Sequence, residues 1–311
     1  MKIYRTIEEI DFNSNTVLTI GTFDGLHLGH KQILTELKQE SENAGARSFV
    51  ITFDPHPRTI VGSGDIKLLN TLEEKLQRFE QAGVENVLIF NFNRAFSQID
   101  YDTFIKSLIV DKIGVTKIII GYDHKFGKNR AGNKFRLIEL GKHYNFDVSV
   151  VDVVEKDGIV ISSTTIRNLI DNGDVETAKN ILGYDYEISG NVIDGIKRGR
   201  KIGFRTANIE VDYDKKLVPK IGVYVVKCII DSNIYYGLMN IGTRPTFEDS
   251  NEIKIEVHLF DFNNDIYSEK IKIHFLKRLR DEIKFASKEE LIEQIKKDKE
   301  EANKFLANLV N

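Results

Sequence analysis

The 311 residues of this chain suffice for two domains of ordinary size, each with its own buried core. Hydrophobic residues make up 41% and charged residues 29%, without a low-complexity tract, which excludes an intrinsically disordered or fibrous protein. The net charge of −3 provides too little positive field for counterion-release binding to nucleic acid, so no nucleic-acid partner is expected.

Three features bear on the cellular compartment. Residues 1–10 lack the apolar core of a signal peptide, and no run approaches the ~18 apolar residues of a membrane span. The single cysteine, Cys228, cannot form an internal disulfide, and its apolar neighbours predict a small buried hydrophobe rather than a nucleophile. We therefore expect a cytoplasmic protein without membrane partners.

Short β-branched runs alternate with amphipathic segments over the first half of the chain. The runs predict buried strands at residues 16–23, 47–53, 86–92, 116–122 and 147–154. The segments between them predict helices at residues 32–44, 72–82, 101–113 and 134–144. Because strands that alternate with helices imply crossover connections, we expect a parallel, doubly wound α/β sheet.

The pattern changes at Gly183, after two short helical segments at residues 164–171 and 175–182. Beyond it, serial strands are predicted at residues 186–194, 207–213, 222–231, 234–242, 254–262 and 267–275. Such a series favours an antiparallel barrel or sandwich, and residues 287–310 predict a terminal helix with an apolar stripe. We expect the two domains to comprise residues 1–183 and 184–311.

The segment GTFDGLHLGH, residues 21–30, joins the first of these strands to the first helix. Ligands bind at such junctions of open α/β sheets, and the free N–H groups of a helix start attract phosphate. His27 and His30 can hydrogen-bond phosphate oxygens as negative charge builds on them, which makes both candidate catalytic residues. A plain turn with two incidental histidines is the alternative. The other residues assigned to this nucleotide-phosphate site are Gly21, Phe23, Asp24 and Gly25.

A second phosphate-binding pattern is ISSTTIR, residues 161–167. Its hydroxyl and amide donors stand at a predicted helix start, and its arginine suits the outgoing pyrophosphate. An ordinary Ser/Thr helix cap beside a surface arginine is the alternative. The residues assigned to phosphate binding here are Ser162, Ser163, Thr164 and Arg167.

Together these patterns resemble the nucleotidylyltransferase superfamily, whose members share an HxGH turn and a Ser/Thr-rich signature ending in arginine. Two further segments, TFDPHPR at residues 52–58 and GYDHKFGKNRAGN at residues 121–133, resemble the flavin-adenylylating domain of prokaryotic bifunctional riboflavin kinase/FAD synthetases. That resemblance implies a Rossmann-like domain. Taken alone, DPHP is equally typical of a proline-stiffened loop.

By this resemblance, three residues help to hold the phosphate end of the flavin: His56, Pro57 and Arg58. The residues that would border the flavin are Asp123, Phe126, Gly127 and Arg130. The chain departs from the family at His124, where phenylalanine is usual, and at Asn133, where aspartate is usual.

The second half of the chain carries a separate set of motifs. GRKIGFRTANI, residues 199–209, ends in Thr206 and Asn208, two oxygen donors suited to Mg²⁺ and a nucleotide phosphate. NIGTRPTF, residues 240–247, suits a rigid loop near an anion. Either segment is also explained as a loop between strands.

In IEVHLFDF, residues 255–262, strand alternation places Glu256 and His258 on one face. A carboxylate on the inward face of a barrel is uncommon unless it is paired or functional, whereas an outward carboxylate is an ordinary surface acid. The alternation does not decide between these faces.

These segments, followed by LRDEIKF at residues 279–285 and the terminal helix, resemble a riboflavin kinase domain over residues 184–310. The resemblance implies that Thr206 and Asn208 bind Mg²⁺ and ATP phosphate and that Glu256 accepts the proton of the ribityl 5′-hydroxyl. It also implies roles for Gly203 beside the phosphate and for a flavin-side loop with Arg280, Glu282 and Phe285. The chain departs from the family at Arg205, usually proline, and at Ser268, usually glycine.

We therefore expect a bifunctional enzyme that makes FMN from riboflavin and ATP in the barrel, and FAD and pyrophosphate from FMN and ATP in the α/β domain. The expected cofactor is Mg²⁺, the expected partners are ATP, riboflavin and FMN, and client flavoproteins are candidate macromolecular partners. Two alternatives stay open. One is a nucleotidyltransferase for another acceptor with a regulatory barrel, and the other is a flavin- or nucleotide-binding regulator without catalysis, favoured by the departures at His124, Asn133 and Arg205.

Overall fold

The computed structural model describes residues 1–62, 66–128, 131–193, 204–243 and 253–310. Contacts within the chain divide it into two compact units, Met1–Ser163 and Thr164–Asn311. This division assigns to the second unit most of the chain between residue 163 and Gly183, so the domain boundary at Gly183 stays a prediction.

The first unit is built on a parallel sheet. Its strands are β1 (Lys2–Tyr4), β2 (Thr16–Ile20), β3 (Arg47–Phe53), β4 (Asn86–Phe90), β5 (Val115–Gly121), β6 (Lys125–Phe126), β7 (Gly132–Asn133), β8 (Asp147–Val151), β9 (Glu155–Lys156) and β10 (Ile159–Val160). Six of them form one sheet in the order β1-β4-β3-β2-β5-β8, in which every neighbouring pair is parallel. The predicted parallel α/β sheet is confirmed, although β1 is too short to show a sequence pattern. The strand order reverses beside β2, so the carboxyl end of β2 lies at the switch point where open sheets bind ligands.

Helices cover both faces of this sheet. They are α1 (Leu28–Ala44), α2 (Pro57–Val61), α3 (Leu72–Gln81), α4 (Tyr101–Thr103), which continues as a π-helical segment (Phe104–Ile113), and α5 (Lys134–Tyr144). Alternate strand residues point to opposite faces, so Leu18 packs with the π-helical segment and α5, whereas Val17 packs with α1 and α3. The helices α1 and α3 therefore share one face of the sheet.

The second unit is a closed antiparallel barrel with helices. Its strands are β11 (Glu187–Ile193), β12 (Ala207–Val211), β13 (Gly222–Ile230), β14 (Asn233–Thr243), β15 (Ile253–Leu259) and β16 (Lys270–Arg280). They close in the order β11-β12-β15-β14-β13-β16, which confirms the predicted barrel. Cys228 is buried in β13 as predicted, and burial raises the pKa of its thiol, so the reactive thiolate is disfavoured.

The helices of this half are α6 (Ser163–Asp171), α7 (Val175–Leu182) and α8 (Lys288–Val310). The terminal helix α8 is confirmed, and its fully buried Ala302 packs on Val223, Val225 and Leu238 of the barrel. Within the described ranges, none of the helices is long and apolar enough to cross a membrane.

Candidate active sites

The loop between β2 and α1 has an unusual backbone. Phe23 and Leu26 adopt left-handed φ values of 49° and 36°, and Gly25 between them adopts 85°. Side chains other than glycine disfavour this region, so surrounding contacts must hold the loop in shape. Two such contacts are the hydrogen bond from the Gly21 amide to the Ile51 carbonyl, 3.0 Å, and the edge-on packing of Phe23 against Phe79 of α3.

Asp24 connects this loop to two other segments of the first unit. Its buried carboxylate accepts hydrogen bonds from the amides of Leu69, 3.0 Å, and Asn70, 3.2 Å. Its carbonyl accepts a hydrogen bond of 2.8 Å from the Ser163 hydroxyl. The two phosphate-binding patterns predicted from the sequence therefore meet at Asp24, although 139 positions separate Ser163 from it.

We expect Asp24→Ala to lower the free energy of unfolding of the first unit by about 2–3 kcal/mol, because two buried amides lose their acceptor. Urea denaturation measures this loss. Asp152→Ala, at an exposed carboxylate, is the matched control and should change the free energy by less than about 0.5 kcal/mol. Equal stability of the two variants would contradict the anchoring role of Asp24.

His27 and His30 lie at the N-terminus of α1 with their rings stacked, 3.7 Å between centroids and 16° between planes. His27 caps the helix, since its Nδ1 accepts a hydrogen bond from the His30 amide at 3.3 Å. A neutral His27 in this arrangement carries its proton on Nε2, which is then an N–H donor. Gly29 permits the arrangement, because a Cβ there would stand only 3.2 Å from Nδ1 of His27. The two imidazole rings therefore lie on the same side of the helix start.

The His30 ring is held in its neutral form. Burial, and after it the charges of His27 and Lys75, hold its pKa well below the ordinary value. Its Nδ1 is buried and has no hydrogen-bond partner in the described part of the chain. A neutral imidazole can donate one hydrogen bond to a phosphate oxygen without first losing a proton.

Acidification is expected to weaken the first unit through His30. The unfolded chain binds a proton at His30 below about pH 6.5, whereas the folded chain does not, so stability is present above that pH and is lost as the pH falls toward the folded pKa. We expect a slope of up to about 1 kcal/mol per pH unit, and His30→Gln should remove it. Urea denaturation at about pH 7 and about pH 5.5 tests this, and an unchanged slope in the variant would contradict it.

The predicted acceptor segment after β3 is also ordered by a histidine. His56 is buried and caps α2, because its Nδ1 accepts a hydrogen bond from the Arg58 amide at 3.1 Å. Pro57 begins the helix, and the Arg58 side chain is exposed. The segment therefore exposes the Arg58 guanidinium to solvent, and its role in flavin binding stays a prediction.

The second acceptor segment contains both family departures of this unit. His124 stacks on the buried Phe126, 5.6 Å between centroids, so an aromatic ring is retained at the position. Asn133 caps α5 by accepting hydrogen bonds from the amides of Phe135 and Arg136, as an aspartate would. Asp123 is exposed, Gly127 has a left-handed φ of 70°, and Arg130 lies outside the described residues.

In the barrel, strand register aligns three polar residues. Glu256 of β15 pairs with Asn208 of β12 on one side and with Asn240 of β14 on the other. Directly paired residues share a face, so their side chains form a row. Glu256 lies opposite the buried Ile255, on the outer face, with 27% of its side chain exposed. Asn208, Glu256 and Asn240 together form the amide–carboxylate row.

A lysine that the sequence motifs did not single out accompanies this row. The Lys254 ammonium donates a hydrogen bond of 2.6 Å to Oε1 of Glu256. Lys254 lies two residues before Glu256 on the same face of β15, which a search for alternating charges on a strand would have detected. Glu256 is thus a paired carboxylate rather than an isolated surface acid.

The segment before β12 is attached to β15. Nδ1 of His258 lies 2.7 Å from the Arg205 carbonyl, and the Arg205 guanidinium reaches outward to the Asn263 carbonyl. Thr206 immediately precedes β12 and lies two residues before the buried Asn208. Gly203 lies outside the described residues.

The three residues assigned to the flavin-side loop differ in their contacts within the protein. The Arg280 guanidinium forms a paired interaction with the buried Asp298 of α8, at 2.7–3.1 Å, and also donates to the Asp281 carbonyl. Glu282 lies so close over Gly242 that a Cβ there would collide with its carboxylate. Phe285 is half-buried. Their flavin contacts stay predictions.

The backbone conformation explains the serine at position 268, where the family usually has glycine. Ser268 adopts a left-handed φ of 65°. Glycine adopts this conformation without strain, which explains why glycine is usual there and why serine is tolerated only at some cost.

Fold and site together define a two-unit, nucleotide-dependent transferase, with a histidine-bearing turn at a sheet switch point and a carboxylate on a closed barrel. A family model of FAD synthetase matches residues 9–165, and a family model of riboflavin kinase matches residues 182–306. The chain belongs to the family of bifunctional riboflavin kinase/FMN adenylyltransferases. It is an enzyme of flavin-cofactor synthesis that forms FMN and FAD.

Relatives of known description support the assignment along the whole chain. The bifunctional riboflavin kinase/FMN adenylyltransferase of Listeria monocytogenes is 37% identical and covers 95% of this chain and 94% of its own. The enzyme of the same description from Buchnera aphidicola is 38% identical and covers 100% of both chains. A crystal structure from Streptococcus pneumoniae, described as a macrolide-efflux protein, is 30% identical, covers 97% of this chain and 98% of its own, and has a TM-score of 0.88. Its description names another activity, and here it supports the fold.

The alternatives left open by the motifs are resolved by these matches. The first half of the chain matches FAD synthetase and the second half riboflavin kinase, and relatives described as bifunctional enzymes match both halves, which favours the bifunctional enzyme over a regulatory barrel and over a non-catalytic regulator. The family departures at His124 and Asn133 leave an aromatic ring and a helix cap in place.

Proposed function

We propose that the two activities are divided between the two units: adenylyl transfer to FMN in the first, and phosphoryl transfer to riboflavin in the second. The observation that carries this proposal is the presence of one polar constellation in each unit, the stacked histidines beside Asp24 and the amide–carboxylate row beside Lys254. FMN made at the barrel must then leave it before it is adenylylated.

In the first unit, a phosphate oxygen of FMN attacks the α-phosphorus of ATP, and the bond to the bridging oxygen breaks as pyrophosphate leaves. His27 and His30 donate hydrogen bonds to the α-phosphate oxygens as their charge rises, without becoming nucleophiles. The helix start of α1 contributes further donors. Thr164 and Arg167 lie within the bounds of the second unit, and their role toward pyrophosphate stays a prediction. His56, Arg58, Asp123, Phe126 and Arg130 would hold the flavin.

In the second unit, Glu256 accepts the proton of the ribityl 5′-hydroxyl while that oxygen attacks the γ-phosphorus of ATP and ADP leaves. The Lys254 ammonium holds the carboxylate in place before riboflavin binds. Arg280, already fixed to Asp298, would act by shaping the flavin-side loop rather than by a free guanidinium.

The residues present fit the expected magnesium ion. Thr206 and Asn208 offer neutral oxygens, the donor type that Mg²⁺ prefers when ATP phosphates supply the remaining ligands, and Asn208 is paired with Glu256 across the strands. Bound there, Mg²⁺ would neutralise phosphate charge during the transfer. In the described ranges no cluster of three His, Cys, Asp or Glu residues could hold a metal alone, which fits a site completed by the nucleotide.

We further propose that the enzyme works in the cytoplasm, on ATP, riboflavin and FMN, without nucleic-acid or membrane partners. Client flavoproteins that accept FAD are proposed as its macromolecular partners. The low net charge and the absence of a spanning helix among the described residues support this assignment.

A time course that separates FMN from FAD tests the division of labour. The purified chain, given riboflavin, ATP and Mg²⁺, should show FMN rising first and then declining as FAD accumulates. FAD formation without a transient FMN peak, even when unlabelled FMN is added to trap it, would contradict release between two sites.

A further inference from the structure

Lys75 lies on the face of α3 that contacts the loop between β2 and α1. It follows Thr71, which closes a capping box with Glu74, by one helical turn and precedes Phe79 by another. Residues four apart share a face, and Phe79 packs on Phe23 of the loop at 5.3 Å. The Lys75 side chain is therefore directed toward the predicted nucleotide-phosphate site.

The Lys75 ammonium is buried without a contact partner. Only 5% of the residue is exposed, and its side chain takes part in no hydrogen bond or ion pair among the described residues. Burial lowers its pKa, while the charges of the Asp24 and Asp54 carboxylates oppose that shift. A buried cation without a direct partner is costly unless a ligand completes its surroundings.

The groups around Lys75 belong to both halves of the predicted adenylyl-transfer site. Its charge contributes to the low pKa of His30, so the ammonium acts on the HxGH histidines, and Asp54 begins the DPHP acceptor segment. Burial and then the Arg78 guanidinium, also on α3, lower the pKa of Lys31 on α1. Lys31 of α1 and Arg78 of α3 are thus close enough to influence each other, and Lys75 influences His30, so cations of both helices lie near the HxGH turn.

We propose that Lys75 is a further catalytic residue of adenylyl transfer, whose ammonium contacts oxygens of the two reacting phosphates, the α-phosphate of ATP and the phosphate of FMN. The proposal rests on the assignment of adenylyl transfer to the first unit. As the FMN oxygen bonds to the α-phosphorus and pyrophosphate departs with the bonding electrons, Lys75 stays protonated and offsets the charge that gathers between the two phosphates. A contact strongest at that point affects kcat more than KM.

A structural role predicts a different outcome. If Lys75 served only as a counter-ion for Asp24 and Asp54, Lys75→Met would leave those carboxylates uncompensated and destabilise the first unit. If Lys75 instead binds phosphate, Lys75→Met removes a buried unpaired charge and leaves the unliganded first unit equally or more stable.

The test compares Lys75→Met with Lys38→Met, a control at an exposed lysine on α1. We expect Lys75→Met to lower kcat for FMN adenylylation by about 10²–10³-fold, and to keep riboflavin phosphorylation and the urea midpoint unchanged. Full adenylylation by Lys75→Met, or activity lost together with stability, would overturn the proposal.

A second readout requires no substitution at the position. ATP, which carries the α-phosphate, titrated into the wild-type chain without riboflavin or FMN should shift the side-chain ¹⁵N resonance of Lys75, assigned with Lys75→Arg, and an unmoved resonance would overturn the proposal. The His30→Ala variant distinguishes failure of the proposed adenylyl-transfer site from failure of the Lys75 role alone. Adenylylation that survives His30→Ala overturns the proposed site itself, whereas loss in His30→Ala but not in Lys75→Met overturns only the role of Lys75.

Discussion

Replacing His30 with alanine is expected to lower kcat for FMN adenylylation by about 10²–10³-fold and to leave riboflavin phosphorylation unchanged. The stacked, neutral imidazole offers a donor at the start of α1, and alanine removes that donor without touching the barrel. FAD formed from supplied FMN and FMN formed from riboflavin are measured separately by chromatography.

The matched control for this prediction is His143→Ala, at an exposed histidine on α5. It should keep both activities within about 2-fold of wild type, since exposed positions away from the sites tolerate substitution. Equal loss of FMN and FAD formation in His30→Ala would contradict the assignment of adenylyl transfer to the first unit.

Replacing Glu256 with glutamine is expected to lower riboflavin phosphorylation by about 10²–10⁴-fold while FAD synthesis from supplied FMN continues. Glutamine keeps the size of the side chain and its place beside Asn208 and Asn240, but it cannot accept the hydroxyl proton. Glu256→Ala should behave in the same way. The measurement is the initial rate of FMN formation at saturating ATP and Mg²⁺.

Glu269→Gln, at an exposed glutamate before β16, controls for the loss of one negative charge from the barrel. It should leave FMN formation within about 2-fold of wild type. Substantial kinase activity in Glu256→Gln would rule out Glu256 as the proton acceptor, and a parallel fall in FAD synthesis would argue against two separate sites.

Much of the fold follows from local patterns. The strand and helix of GTFDGLHLGH follow from β-branched residues before the loop and helical spacing after it, and both elements occur where they were expected. The six barrel strands and α8 were predictable for the same reason. Short elements without periodicity, such as β1 and the capped helix α2, were not.

The candidate sites divide in a similar way. His27, His30 and Glu256 carry the chemistry in their side chains and stand in recognisable patterns, so the sequence identifies them. Lys75 and Lys254 stand in no such pattern. Lys75 looks like one more charged residue on an amphipathic helix until the packing of Phe79 on Phe23 shows that its face is buried.

By itself, then, the sequence determined the two-domain α/β-and-barrel class, the histidine-bearing turn and the pairing of kinase with adenylyltransferase chemistry. Only the tertiary structure decided that Ser163 meets Asp24, that Glu256 stands between Asn208 and Asn240, and that Arg280 is fixed to Asp298. The physical reason is sequence separation. Periodicity and turn chemistry act over a few neighbouring residues, whereas these contacts depend on strand register and on packing between segments that are far apart in the chain.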